Sequence, residues 1–152
     1  MSNNKIIRTD SDNTDFRALI YLLDEELQIT NGDQHDFFAR YNNPESIKHV
    51  LVLYDGDTPV SCGAIREHSE GTAEVKRMYT KPEFRGKGYG KLILKELEEW
   101  ARELNYENLI LETAINLKPA VGLYTNHGFT KIPNYGQYEK VETSVCFKKV
   151  IK

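Results

Sequence analysis

Arg85-Gly86-Lys87-Gly88-Tyr89-Gly90 stands between a predicted strand, Thr72 to Thr80, and a predicted helix that runs from about Gly88 to Leu104. A glycine-rich turn that opens a helix is suited to anions. The first helical turn carries N–H groups without intrahelical partners, and the macrodipole adds partial positive charge there. Glycine has no Cβ to keep a phosphate away from the backbone. Arg85 and Lys87 add full charges and donors that match phosphate oxygens. The stretch predicts a pyrophosphate or a similar polyanion as ligand. Two other phosphate-binding loops fail on spacing. The dinucleotide fingerprint needs a third glycine after Gly86-x-Gly88, and that position is Lys91. The Walker loop needs Gly-Lys followed by Ser or Thr, four residues after its first glycine, and no such string occurs.

The flanking elements extend the pattern. Strand, helix, strand over Thr72–Thr80, Gly88–Leu104 and Asn108–Thr113 makes a crossover unit, so the two strands are expected to be parallel. Ile93, Leu97, Trp100, Ala101 and Leu104 form one apolar stripe of the helix, which predicts core positions for all five. Asn105 is the expected left-handed cap. Pro119 opens a further helix with Ala120, Leu123 and Tyr124, and Gly128 stops it. Alternation in Thr72–Thr80 assigns Glu74, Lys76, Met78 and Thr80 to one face and Val75, Arg77 and Tyr79 to the other.

Three motifs together resemble the GNAT family of N-acetyltransferases. Arg85-x-x-Gly88-x-Gly90 is similar to its acyl-coenzyme A signature. Met78-Tyr79-Thr80-Lys81-Pro82-Glu83-Phe84-Arg85 is similar to its strand, bulge and entry to the loop. Leu123-Tyr124-Thr125-Asn126-His127-Gly128-Phe129 is similar to its Leu-Tyr-x-x-x-Gly-Phe element. The resemblance spans most of residues 72 to 132, and the first 70 residues match only in general pattern.

The resemblance implies an α/β (α+β) fold. It would be a single mixed, mostly antiparallel twisted sheet with two central splayed parallel strands and helices on both faces. One acetyltransferase domain would cover residues 1–152. The implied reaction moves an acetyl group from acetyl-CoA to a primary amine of a small molecule, by direct attack in a ternary complex. Protein N-termini or lysines are the alternative acceptors, and a non-catalytic acyl-CoA-binding regulatory module is the alternative class. By carry-over, Met78, Tyr79 and Thr80 hold the pantetheine arm through strand-like backbone. Arg85, Gly86, Lys87, Gly88, Tyr89 and Gly90 take the pyrophosphate. Asn116 is a further cofactor contact, one residue before the family's usual position, which is Leu117 here. Tyr124 falls at the family's general-acid tyrosine, with core packing as the plain structural alternative. Glu74, four residues before Met78, is the implied base, directly or through a water relay, with a surface carboxylate paired to lysine as its structural alternative. A covalent route through Cys62 would need an activating base, and no histidine lies at an informative spacing.

Further upstream, Lys5–Thr9 reads as a strand. Asp12-Asn13-Thr14-Asp15 is rich in helix caps ahead of Phe16, Leu19, Ile20, Leu23 and Leu27 at helical spacing, and that helix ends near Asn31-Gly32. Gln34–Tyr41 reads as a shorter helix closed by Asn42-Asn43-Pro44. Asp24, Glu25, Glu26, Asp33 and Asp36 make this region acidic, either as a solvated face or as an attraction for a cationic amine. His49–Tyr54 and Val60–Glu67 read as strands joined by a hairpin loop. Phe129–Ile132 and Ser144–Val150 read as the last strands, with an aromatic loop at Pro133–Tyr138 between them.

The chain has 152 residues, enough for one domain with a real core. Its net charge of −3 argues against a nucleic-acid partner. No apolar run approaches the roughly 20 residues needed to span a bilayer, and the first residues lack the apolar core of a signal peptide. Cys62 and Cys146 read as buried reduced thiols, in keeping with a cytoplasmic location. His35, His49, His68 and His127 do not cluster, so no metal is expected. The oligomeric state, a homodimer included, is left open.

Overall fold

The computed structural model describes residues 3–31 and 46–152. The short helix predicted over Gln34–Tyr41, with its flanking Asp33, Asp36 and Asn42-Asn43-Pro44, lies outside the described residues. Seven strands form one mixed sheet: β1 (Asn4–Thr9), β2 (His49–Asp55), β3 (Thr58–Ser69), β4 (Thr72–Thr80), β5 (Asn108–Ala114), β6 (Thr130–Ile132) and β7 (Ser144–Val150). Their spatial order is β1-β2-β3-β4-β5-β7-β6. Among the described residues the α-helices are α1 (Thr14–Asn31), α2 (Tyr89–Glu103) and α3 (Lys118–Asn126). The crossover through α2 makes β4 and β5 parallel, with Thr72, Ala73 and Glu74 beside Asn108, Leu109 and Ile110. The pairs β1–β2, β5–β7 and β6–β7 are antiparallel.

The chain divides into two compact units. One comprises Met1–Ala64 with Arg77–Lys95, and the other Ile65–Lys76 with Glu96–Lys152. In the first unit, the Asn13 side chain accepts a 2.8 Å hydrogen bond from the Phe16 amide and so caps α1. Phe16, Leu19 and Ile20, at i, i+3 and i+4, then bury one stripe of α1 against Val50, Val52, Cys62, Ala64 and Tyr79. Each such side chain removed from water contributes roughly 1.5–3 kcal/mol.

In the second unit, β5 and β7 pair along their full seven residues, from Asn108↔Val150 to Ala114↔Ser144. Asn105 has φ 70°, the left-handed cap expected of it. The Tyr106 amide bonds to the Ala101 carbonyl and the Asn105 amide to that of Arg102, which closes α2 by a Schellman motif. The apolar stripe of α2 is narrower than its periodicity predicts. Ile93, Leu97 and Ala101 are fully buried, but Trp100 is half-buried and Leu104 is exposed. Trp100 falls at the edge of the stripe, and Leu104 lies beyond the last helical residue.

Candidate active site

The glycine-rich loop takes the conformation that its glycines permit. Gly86 and Gly88 have φ of 81° and 85°, which side-chain-bearing residues rarely adopt. Chain neighbours aside, no atom of the described residues lies within 4 Å of where a Cβ would stand at either residue. Open space above two glycines, directly before the N-terminus of α2, fits a phosphate-sized anion. Lys87 lies 5.4 Å over the Phe84 ring. Tyr89 contributes backbone only, because its ring is buried and its hydroxyl donates a 2.7 Å bond to Asp55. Arg85 is already engaged. Its Nε donates to the Thr80 carbonyl at 2.8 Å, and its Nη2 sits 2.8 and 2.7 Å from the two carboxylate oxygens of Glu26.

Of the residues assigned to the pantetheine arm, Met78 and Thr80 are partly exposed, whereas the Tyr79 ring lies in the core under α1. Ser61 Oγ holds the Tyr79 carbonyl at 2.9 Å and lies 2.8 Å from Thr80 Oγ1. Just before them, Arg77 has φ 59°. A non-glycine residue in that region interrupts the regular pleat, so simple alternation does not carry through β4. Ala73 through Arg77 are all buried, as in a strand covered on both faces. Cys62 is fully buried, its Sγ–H donates to the Arg77 carbonyl at 3.3 Å, and burial pushes the thiol up to about 12. A nucleophilic thiolate is not available there. Cys146 is also a buried free thiol.

The second unit gathers the ionisable groups that sequence spacing left apart. Glu74 is buried. Its Oε1 accepts from Arg66 Nε at 3.3 Å and Nη2 at 3.2 Å, and its Oε2 accepts from the Tyr135 hydroxyl at 2.7 Å. The lysine-paired surface carboxylate expected as its alternative is thus an arginine- and tyrosine-bound buried one. Tyr135 packs edge-on against His68 at 5.2 Å and against Tyr138 at 5.9 Å. The aromatic loop is thereby fixed over Glu74.

Glu112 is the functional candidate that sequence reasoning missed. Glu74 is registered with Ile110, and Glu112 lies two residues further along β5, so it points to the same sheet face as Ile110. Glu112 Oε2 accepts a 2.6 Å hydrogen bond from the Ser144 hydroxyl. Burial pushes its carboxyl up to about 7, Glu74 adds to the rise, and Ser144 and Lys76 oppose it. The signal that could have found it is a lone carboxylate closing the apolar run Leu109-Ile110-Leu111.

Tyr124 is 5% exposed, and its ring packs against Phe129 and Phe147 at 5.7 and 6.2 Å. The packing named as its structural alternative is present. Among the described residues its hydroxyl has no hydrogen-bond partner. Burial and then Glu112 hold it protonated well above the ordinary tyrosine range. Asn116 is exposed in the turn between β5 and α3, where Leu117 takes the N-cap position of the helix.

Residues 15–129 match the family described as the acetyltransferase (GNAT) family. An uncharacterised N-acetyltransferase of Schizosaccharomyces pombe is 32% identical over 137 residues, 85% of this chain and 83% of that protein. A solved structure from Klebsiella pneumoniae, assigned as an acyl-CoA N-acyltransferase, is 27% identical and superposes over 99% of both chains with a TM-score of 0.81. The PaiA N-acetyltransferase of Thermoplasma acidophilum, solved with coenzyme A, shares the fold at 17% identity and a TM-score of 0.71, over 97% of this chain and 99% of that one.

Proposed function

Because this chain belongs to the GNAT family of acetyl-CoA-dependent N-acetyltransferases, we propose that it acetylates a primary amine of a small molecule by direct attack in a ternary complex. Residues 1–152 act as one catalytic domain in this reading. The observation that carries it is the presence in the second unit of a carboxyl held on one oxygen by Ser144, Glu112, and a buried phenol without a hydrogen-bond partner among the described residues, Tyr124. Glu112 exchanges its proton near neutrality, while Tyr124 keeps its own. Burial raises both groups, but from different starting points: a carboxyl near 7 can serve as a base at neutral pH, and a phenol that stays protonated can serve as an acid.

In the first unit, the loop from Arg85 to Gly90 holds the pyrophosphate through N–H groups, Lys87 and Arg85. Met78 and Thr80 hold the pantetheine arm along β4, and a left-handed Arg77 beside them turns backbone N–H groups out of the regular ladder toward a thioester carbonyl. When bound, acetyl-CoA supplies an activated acyl group and a thiolate leaving group. Ionised Glu112 takes a proton from the acceptor ammonium, and the freed nitrogen lone pair bonds to the acetyl carbon as the carbon–sulfur bond breaks. Tyr124 gives its phenolic proton to the departing sulfur, the second proton released from the acylated nitrogen restores the Tyr124 phenol, and Glu112 gives up its proton to solvent.

Glu112 is assigned the base in preference to Glu74 because both Glu74 oxygens are occupied by donors. Among the described residues, Glu112 Oε1 has no such donor. Glu74 then acts on Glu112 through its charge. The test is release of CoA thiol from acetyl-CoA against a panel of amines, with the N-acetyl product identified by mass. Thiol release that needs an amine supports the reading, and none with any amine defeats it.

A further inference from the structure

We infer that the cavity beneath α1 in the first unit reads the carboxylate of an amino-acid-like acceptor, with Arg77 as the specificity-determining residue. This rests on the transferase reading above and deepens it. The cavity has a volume of about 340 Å³. That falls in the range of about 300–1,000 Å³ usual for small-molecule sites. Phe16, Ile20 and Ile47 supply apolar wall, and Tyr21, 65% exposed, stands among its lining residues as an aromatic flank. The wall is tied in place. The Ser11 amide bonds to the Ile47 carbonyl at 2.9 Å, the Ile47 amide bonds to Ser11 Oγ at 2.8 Å, and Arg17 Nε holds the Ser11 carbonyl at 3.1 Å.

The polar group in this cavity is unusual. Arg77 is only 7% exposed. Of the five N–H donors that a guanidinium carries, the bond at Nη1 to Asp24, 3.2 Å long, is its only side-chain hydrogen bond among the described residues. A buried guanidinium with spare donors against a cavity is a group awaiting a partner. Its backbone is held at φ 59°, a conformation that costs free energy in a non-glycine residue and recurs at functional sites.

The charge pattern selects the ligand. Arg77 with Asp24, and Arg17 with Asp12 on the exposed side, cancel in pairs, which disfavours a polyanion. A zwitterion fits this balance: its carboxylate lies on the planar fork of Arg77, and its ammonium is left free for the base. The apolar wall takes the side chain. Arg77 directly precedes Met78, which the proposed function assigns to the pantetheine arm. A carboxylate anchored on Arg77 therefore ties the acceptor to the strand that carries the donor.

The probes are L-phenylalanine and 2-phenylethylamine, which differ by the carboxylate alone. Wild type is expected to bind L-phenylalanine at least tenfold more tightly by calorimetry, and to show a correspondingly higher kcat/KM in acetyl transfer. Arg77→Lys keeps the charge and loses the fork, so by calorimetry it should weaken L-phenylalanine binding at least about tenfold more than 2-phenylethylamine binding, whatever it does to the transfer rate common to both. Arg77→Lys could disturb β4, so Ile20→Phe, which fills the cavity from α1, is measured beside it and should weaken L-phenylalanine by a similar factor. Equal binding of the two probes by wild type overturns the inference even if acetyl transfer to amines is robust. If no amine is acetylated, the transfer reading fails separately, and calorimetry alone decides whether the cavity takes the zwitterion through Arg77.

Discussion

Arg85 Nη2 sits 2.7 Å from Oε2 and 2.8 Å from Oε1 of Glu26, so a carboxylate from α1 occupies the guanidinium of the proposed pyrophosphate loop. Both side chains are well exposed to water, which makes the pair weak in itself. A phosphate then competes with Glu26 for the same donors. Glu26→Gln is expected to tighten CoA binding by a few-fold, because about 1 kcal/mol of competing attraction is removed. Calorimetry with CoA checks the direction. Unchanged or weaker binding would separate Glu26 from the site.

Arg85→Ala tests the same loop from the other side. Losing one or two charge-assisted hydrogen bonds, at roughly 1.5–3 kcal/mol each, predicts ten- to several-hundred-fold weaker CoA binding. The 3′-dephospho analogue of CoA should lose affinity by the same factor if Arg85 faces the pyrophosphate. A mutant that binds both ligands as wild type does would remove the loop from the site.

Gly88 separates the space that a ligand needs from the backbone that the loop needs. Its φ is 85°, and the position of its missing Cβ is open. Gly88→Val puts a β-branched residue into left-handed backbone, at about 1–2 kcal/mol of strain, so melting temperature and CoA affinity should both fall. Gly88→Asn tolerates that backbone better and still adds a side chain. It is expected to lose CoA affinity with little change in melting temperature measured without ligand. If Gly88→Asn binds CoA normally, the space above the loop is not where the phosphate goes.

Local sequence made the loop and the scaffold around it legible. The glycines, the cap at Asn105 and the crossover through α2 are each decided within a few residues. The ionisable cluster was not legible, because its contacts join distant positions. Tyr135 reaches Glu74 across 61 residues, and Ser144 reaches Glu112 across 32. Arg77 was read as one member of an alternating strand, but its backbone departs from the pleat. The acidic run in α1 was read as a solvated face or an amine attractant, yet Asp24 and Glu26 pair internally with Arg77 and Arg85. No helical period encodes that. Trp100 shows the same limit at the edge of a stripe, where periodicity counts a residue that packing only half covers.

Tyr124→Phe removes only the hydroxyl. The ring contacts with Phe129 and Phe147 remain, and no described residue loses a hydrogen bond, so stability should barely change. CoA affinity should also hold. Turnover should fall, since general acid catalysis contributes about 10²–10⁴-fold. A CoA thiolate leaves readily even without a proton, so the expected loss is at least about tenfold, or 1.4 kcal/mol of barrier. Single-turnover acetyl transfer reads the chemical step without interference from product release. Wild-type single-turnover rates in the mutant would return Tyr124 to a purely structural role.

Glu112 links the base to stability through pH. Its carboxyl is raised from 4.5 to about 7, with burial as the main cause. The folded chain therefore binds this proton more tightly than the unfolded chain. The resulting stabilisation is complete below about pH 4.5 and is lost as pH rises through about 7. The base function runs the other way, because only the ionised form accepts a proton. Activity is thus expected to rise through an inflection near pH 7, over the range where the melting temperature falls. Glu112→Gln cannot ionise, and its amide oxygen can still accept from Ser144. The variant should match wild type in melting temperature near pH 5, exceed it near pH 8, and lose the inflection in kcat/KM along with at least about 10²-fold in rate. Titration of the acceptor amine itself lies near pH 10 and should persist in both proteins. A Glu112→Gln profile that keeps the inflection near 7 at wild-type rates would pass the base to another group, with Glu74→Gln as the next variant to measure.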